Sequence, residues 1–167
     1  MASFLKQLSV LLGLVAIASS QELVCTSPSK FHIPTVVHNW IGAVEYCHLL
    51  GMRLAVVDSE AKHNEIVRLV EFSKIYNMTK TDLWIGASDL AQEGNFVWHA
   101  TGMEPTFSKW NRLQPDNAGG TEHCVHMWYE PTKNWNWHWN DWNCELKLTF
   151  VCENAPRWDD SHLVSRP

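Results

Sequence analysis

Apolar positions along the chain change rhythm near residue 77. Before that point they recur at helical spacing. Asn39 to Leu50 carries Trp40, Val44 and Cys47 three or four residues apart, with an asparagine cap ahead and Gly51 behind, which predicts a first helix. Leu54 to Val57 reads as a short strand. Ser59 then opens a second amphipathic helix, expected to bury Ile66, Leu69, Val70 and Phe72. Beyond Asn77, short runs rich in aromatic and β-branched residues predict strands at Leu83–Ala87, Asn95–Trp98, Cys124–Tyr129 and Thr149–Cys152. Thr101 to Glu122, full of Gly, Pro and Asn, reads as one long irregular loop, a kind that is usually functional or disordered. Helices first and strands afterwards imply an α+β domain. One stretch is stricter than the rest. Asn134 to Asn140 alternates tryptophan with polar residues, so an extended strand would set Trp135, Trp137 and Trp139 on one face.

The two ends read differently from the middle. Lys6, an apolar run from Leu8 to Ile17 and the small residues Ala18-Ser19-Ser20 predict a secretory signal over residues 1–20, too short to span a bilayer. A single domain over 21–153 follows, with a polar tail over 154–167. Thirteen basic residues less Lys6 leave 12 against 18 acidic ones, a balance of −6. That argues against nucleic acid or an anionic membrane as partner, and acidic, asparagine-rich loops suit a hard cation better. Five cysteines follow the signal, and in an exported chain they read as disulfides before they read as ligands. Cys47, Cys124, Cys144 and Cys152 allow three pairings, among which spacing does not choose. Cys25 is left over, available for an intermolecular bridge. Asn77-Met78-Thr79 is a glycosylation sequon.

Two clusters of oxygen-bearing side chains flank the strand expected at Cys124. Gln114, Asp116, Asn117 and Glu122 precede it, and Asn140 and Asp141 lie just before Cys144. Calcium takes roughly six to eight oxygen ligands. Gln114, Asp116, Glu122, Asn140 and Asp141 can supply five side-chain oxygens, and the Asp141 carbonyl a sixth. A cis Gln114–Pro115 bond would aim both flanking side chains at one point, and only X–Pro bonds make cis cheap. Each of these residues alone is an ordinary loop polar. All five in this order, bracketed by Cys124 and Cys144, point to a metal.

Trp84-Ile85-Gly86, Gln114-Pro115-Asp116, Glu122-His123-Cys124 and Trp139-Asn140-Asp141 occur in the order and approximate spacing of C-type lectin-like domains. The resemblance covers roughly Cys25 to Glu153 and is nearest to soluble, single-domain lectins of insects. It implies two helices with small antiparallel sheets and a long loop region. It also implies pairing of Cys47 with Cys152 and of Cys124 with Cys144. In such lectins two neighbouring sugar hydroxyls bind calcium directly, each donating to a ligand carboxylate and accepting from a ligand amide. The carboxylates here would be Asp116 and Glu122, and the amides Gln114 and Asn140. Gln-Pro-Asp resembles galactose-type members, whereas Glu-Pro-Asn marks mannose-type ones. Many galactose-type sites place a tryptophan soon after the triplet; this chain has Asn117-Ala118-Gly119-Gly120 there, leaving Trp135 or Trp137 as candidates to stack on the sugar.

The family's second calcium position is partly matched by Asp89 and Glu93, but Asn117 and His123 stand where carboxylates are usual, so weak affinity is expected. His123 and His126, three apart on a strand, point to opposite faces and form no zinc pair. The sequence holds no zinc-protease helix motif and no nucleophile elbow. The expected function is calcium-dependent binding of galactose-type glycans in innate recognition of cell surfaces, by a binding protein and not an enzyme. The alternative is a protein-interaction subunit of a disulfide-linked lectin dimer, joined through Cys25, with weak or mannose-type sugar binding.

Overall fold

A computed structural model describes residues 30–155. The expected signal, Cys25 and the tail beyond residue 155 lie outside the described residues. In chain order the elements are β1 (Phe31–His32), α1 (Trp40–Leu49), β2 (Met52–Leu54), α2 (Glu60–Glu71), β3 (Thr81–Ser88), β4 (Val97–Trp98), β5 (Glu122–Glu130), β6 (Trp135–Asn143), β7 (Thr149–Phe150) and β8 (Cys152–Asn154).

Helix α1 starts where Asn39 Oδ1 accepts the Gly42 N–H at 2.9 Å, and Gly51, at φ +68°, follows its end. It buries Trp40, Ala43, Val44 and Cys47. Ser59 caps α2 through the Lys62 N–H at 3.3 Å. That helix buries His63, Ile66 and Val70, but Phe72 is 87% exposed, against expectation. Phe72 lies six residues past Ile66, about 240° around a helix of 3.6 residues per turn, and sits just beyond the last turn. His63, three residues before Ile66, takes the place on the buried face.

Two sheets divide the strands. β1, β8 and β2 form a three-stranded antiparallel sheet in which β8 is central. β4, β3, β5 and β6 form the second, and β7 adds to β3 in parallel. The strand expected at Leu54–Val57 is therefore displaced. Only Leu54 belongs to β2, and Ala55, Val56 and Val57 run on as buried coil. Their backbone is still partnered: Ala55 donates to Val151 O at 3.0 Å and accepts from Gly86 N at 2.8 Å. That approach requires a glycine at position 86, because a Cβ there would stand 2.8 Å from Leu54 O. The run expected at Thr149–Cys152 is likewise split, into β7 and β8, at the buried Val151.

Two cores fill the spaces on either side of the larger sheet. One, against α2, gathers Ile66, Val70, Leu83, Ile85, Val125, Met127, Trp137 and Trp139. The other, under α1, holds Trp40, Val44, Leu54, Trp84 and Phe150. Cys47–Cys152 ties α1 to β8, and Cys124–Cys144 ties the start of β5 to the segment after β6. Both pairings are those the resemblance implied. Between β2, α2 and β8, the buried Glu153 meets Arg53 at 2.6 Å and Lys62 at 3.3 Å.

Candidate calcium and carbohydrate site

The tryptophan alternation does not survive folding. Trp128 pairs with His138 and Tyr129 with Asn136, so Trp137 is an extra residue on β6, and its φ is +56°. A bulge of this kind reverses the side-chain alternation. Trp137 and Trp139 therefore turn into the core under α2, while Trp135 lies on the other face, stacked on Trp128 at 4.3 Å. Trp137 is packed against Tyr129 at 5.0 Å and donates to Glu71 at 3.1 Å. At about 3.3 Å per residue, Trp137 stands about 13 Å along the strand from Asp141, and Trp135 farther still. The bulge thus turns Trp137 inward, and both tryptophans stand well along the strand from Asp141.

The long loop is fastened to β6 at Trp139. Trp139 N–H donates to Lys109 O at 2.8 Å, and Asn111 N–H donates to Trp139 O at 3.0 Å. A turn closed by Gln114 N–H on Asn111 O at 2.9 Å then leads into a cis Gln114–Pro115 bond, as the clustering of its neighbours suggested. The chain next runs over the Asp141 carboxylate, which accepts Asp116 N–H at 3.2 Å and Asn117 N–H at 2.7 Å. Asn117 adopts left-handed backbone at φ +41°, tolerable for asparagine, and its Oδ1 accepts the Glu122 N–H at 3.0 Å. Glu122 Oε2 in turn accepts from Ala118 N–H at 3.2 Å.

These contacts bring Asp116, Glu122 and Asp141 together, with one oxygen of each within 4.8 Å of the others. Asp116 is exposed, whereas Glu122 and Asp141 are buried. Burial pushes the Glu122 carboxyl above its ordinary range, and the charges of Asp141 and Asp116 push the same way. Burial also raises Asp141, although the Asn117 and Asp116 amides oppose it. Gln114 Oε1 is buried and has no hydrogen-bond partner. Three converging carboxylates form an all-oxygen donor set that lacks a positive charge, which fits calcium, and the orphaned Gln114 Oε1 is a further oxygen without a partner.

Asn140 is placed differently from the other four. Its Nδ2 lies against the Asp141 backbone carbonyl and 3.1 Å from His126 Nε2. Burial holds His126 neutral, with its pKa pushed down to about 3, so Nε2 can accept that amide hydrogen. Sequence reasoning missed this partner, since a strand histidine fourteen residues away carries no local signal. It also missed Asn117 as the residue that pins the loop, and a shallow depression beside Pro115 lined by Phe96, Trp110, Asn95, Glu104 and Ser108.

The expected second calcium position is reduced further. Asp89 and Glu93 lie beside His123, with ligand atoms within 4.8 Å of one another. Asn117 is committed to Glu122 and Asp141 instead. A nitrogen and two carboxylates make a poor calcium cage. His123 and His126 keep separate partners, so no zinc pair forms between them.

Comparison with known proteins agrees with this fold. Residues 36–154 match the family model for the lectin C-type domain. The chain is 49% identical to C-type lectin 16 of Aedes aegypti over 155 residues, 93% of this chain and all of that one. It is 48% identical to salivary C-type lectin 1 of Aedes albopictus over 136 residues, covering 81% of this chain and 88% of that protein. Among solved structures, the carbohydrate-recognition domain of the human scavenger receptor C-type lectin superposes with a TM-score of 0.64 at 22% identity, over 75% of this chain and 90% of that one. The chain belongs to the C-type lectin family, whose domain binds carbohydrate and is not an enzyme.

Proposed function

We propose that this lectin is secreted and binds galactose-type glycans through a calcium ion held by Gln114, Asp116, Glu122, Asn140 and Asp141. The observation that carries the calcium reading is the convergence of three carboxylates, and Gln114 Oε1, buried and partnerless, is a further oxygen two residues before Asp116. The ion would supply open coordination positions for two adjacent sugar hydroxyls. Asp116 and Glu122 would accept hydrogen bonds from those hydroxyls, and the Gln114 amide would donate one.

Galactose is favoured by the Gln-Pro-Asp order, which sets amide and carboxylate on opposite sides of the cis proline. Exchanging them would leave donors facing donors, at a cost of about 1–3 kcal/mol per group. Secretion is supported by the apolar leader, by two disulfides of the kind oxidising compartments maintain, and by the salivary description of one relative. An N-glycan at Asn77 fits its exposed turn, where Thr79 donates to Asn77 Oδ1 at 2.7 Å. Among the described residues no helix is long and apolar enough to cross a membrane.

The test is retention of the purified protein on immobilised galactose and on immobilised mannose, with and without chelator. Retention on galactose alone, released by chelator, is expected. Binding that survives chelation would overturn the calcium reading, and retention on mannose alone would overturn the sugar assignment.

A further inference from the structure

We propose that the depression beside Pro115 is a subsite for a second, uncharged sugar ring, so that the glycan bound is at least a disaccharide. The subsite rests on the calcium-held galactose proposed above and specifies the glycan that galactose belongs to. Three stretches of chain wall it: Asn95 and Phe96 ahead of β4, Glu104, Ser108 and Trp110 in the long loop, and Pro115 at the cis bond. Pro115 also ties it to the ion, because the flanking Gln114 and Asp116 belong to the proposed calcium ligands. Consecutive Cα atoms stand about 3.8 Å apart across a trans peptide, and Asp116 is one such step from Pro115. A sugar linked to the one on calcium thus has a hollow within a residue of the ligand carboxylate.

The walls are held in place without a ligand. Trp110 sits between Lys109 and Asn111, whose backbone groups bond to Trp139 at 2.8 and 3.0 Å, and its ring meets Trp139 edge-on at 5.8 Å. Phe96 packs against the Trp110 ring at 5.1 Å. On the other side, Asn95 N–H closes a turn on Gln92 O at 3.0 Å. A preformed hollow loses little freedom when it is filled.

The lining decides the occupant. Phe96 and Trp110 are only half-buried, and partly exposed aromatic rings suit the C–H side of a sugar. Asn95, Ser108 and Glu104 offer the donors and acceptors that ring hydroxyls need. No cation among the described residues lines the hollow, and the Glu104 carboxylate repels an anion, so an acidic sugar is disfavoured. The volume of about 260 Å³ is below the roughly 300–1,000 Å³ of pockets for drug-sized ligands, which suits one ring and not a chain.

The experiment is calorimetric titration of the disulfide-bonded protein, in saturating calcium, with methyl galactoside, lactose and melibiose. These present galactose alone, or linked to glucose in two different ways. At least one disaccharide should bind about tenfold tighter than methyl galactoside. Phe96→Leu and, separately, the exposed Glu104→Ala should each cut that preference about threefold or more and leave methyl galactoside affinity unchanged. The unchanged monosaccharide affinity also shows that each variant is folded. Equal affinity for all three sugars, or a preference that both variants keep, overturns the subsite while the calcium reading stands. No binding of methyl galactoside by the parent protein overturns the galactose reading, and the subsite with it.

Discussion

Asp141 does two jobs that the sequence shows as one. Its carboxylate faces Glu122 and Asp116, and it also anchors the loop through the Asp116 and Asn117 amides. Replacing it by alanine should therefore abolish calcium binding and also loosen the loop, which proteolysis of residues 101–122 would register. Asp116→Ala removes only an exposed oxygen. Sugar retention should be lost with the melting temperature of the calcium-free protein unchanged within about 0.5 kcal/mol of stability. Exchanging the pair, Gln114→Glu with Asp116→Asn, should move retention from galactose to mannose beads. Retention unchanged by the exchange would mean that other residues choose the sugar. The buried histidines add a pH dependence of a different kind. His63 has its pKa pushed down to about 4, chiefly by burial and then by Lys109, from an ordinary 6.5. Between those values the unfolded chain binds more protons than the folded one, so stability rises with pH. The contribution is complete above about 6.5 and is lost as pH falls toward about 4, on the order of 3 kcal/mol. Urea midpoints measured across that range should fall with acid, and His63→Leu should flatten the slope.

At the scale of elements, local signals were legible where they were local in origin. The caps Asn39 and Ser59 and the glycine after α1 announce both helices because each acts within a turn of its helix. Phe72 was misplaced because hydrophobicity suggested burial where the helix had already ended. Its exposure predicts that Phe72→Ser changes stability by less than about 0.5 kcal/mol, as chemical denaturation would show. The bulge at Trp137 is a harder case. Alternation in sequence assumes regular pairing, and an extra residue on one strand arises only from what the partner strand presents. Glu153 belongs to the same class. Nothing near it in sequence indicates burial, yet Arg53 and Lys62 come from a strand and a helix far earlier in the chain. Glu153→Ala strands the partly buried Arg53, whereas Lys62 keeps Asp58 at 3.0 Å and Val56 O at 2.7 Å, and should cost about 3 kcal/mol, measurable by thermal unfolding.

Across the whole molecule, the long loop holds its shape because it is fastened at its middle and near its end. Backbone hydrogen bonds to Trp139 hold Lys109 and Asn111, and the Asp141 and Glu122 carboxylates hold Asp116 to Ala118. Calcium at the carboxylate cluster should therefore act on the fold as well as on the ligand. At a hundredfold excess over its dissociation constant, a native-state ligand adds about 2.7 kcal/mol. Melting should accordingly rise with calcium and fall back with chelator, and Asp141→Ala should not respond. The Cys47–Cys152 bridge closes a separation of 105 residues between α1 and β8. Opening it should cost about 2–5 kcal/mol. By itself the sequence determined the fold class, the family and the oxygen-rich character of the loop, because residue types in order carry that information. It named the calcium ligands only as candidates, since five polar residues become a site when a shared point exists between them. The tertiary structure decided which oxygens meet, that Asn117 pins the loop, and that Trp137 turns into the core while Trp135 stacks on Trp128. Each of these depends on strand register and on contacts between residues far apart in the chain, which no local pattern encodes.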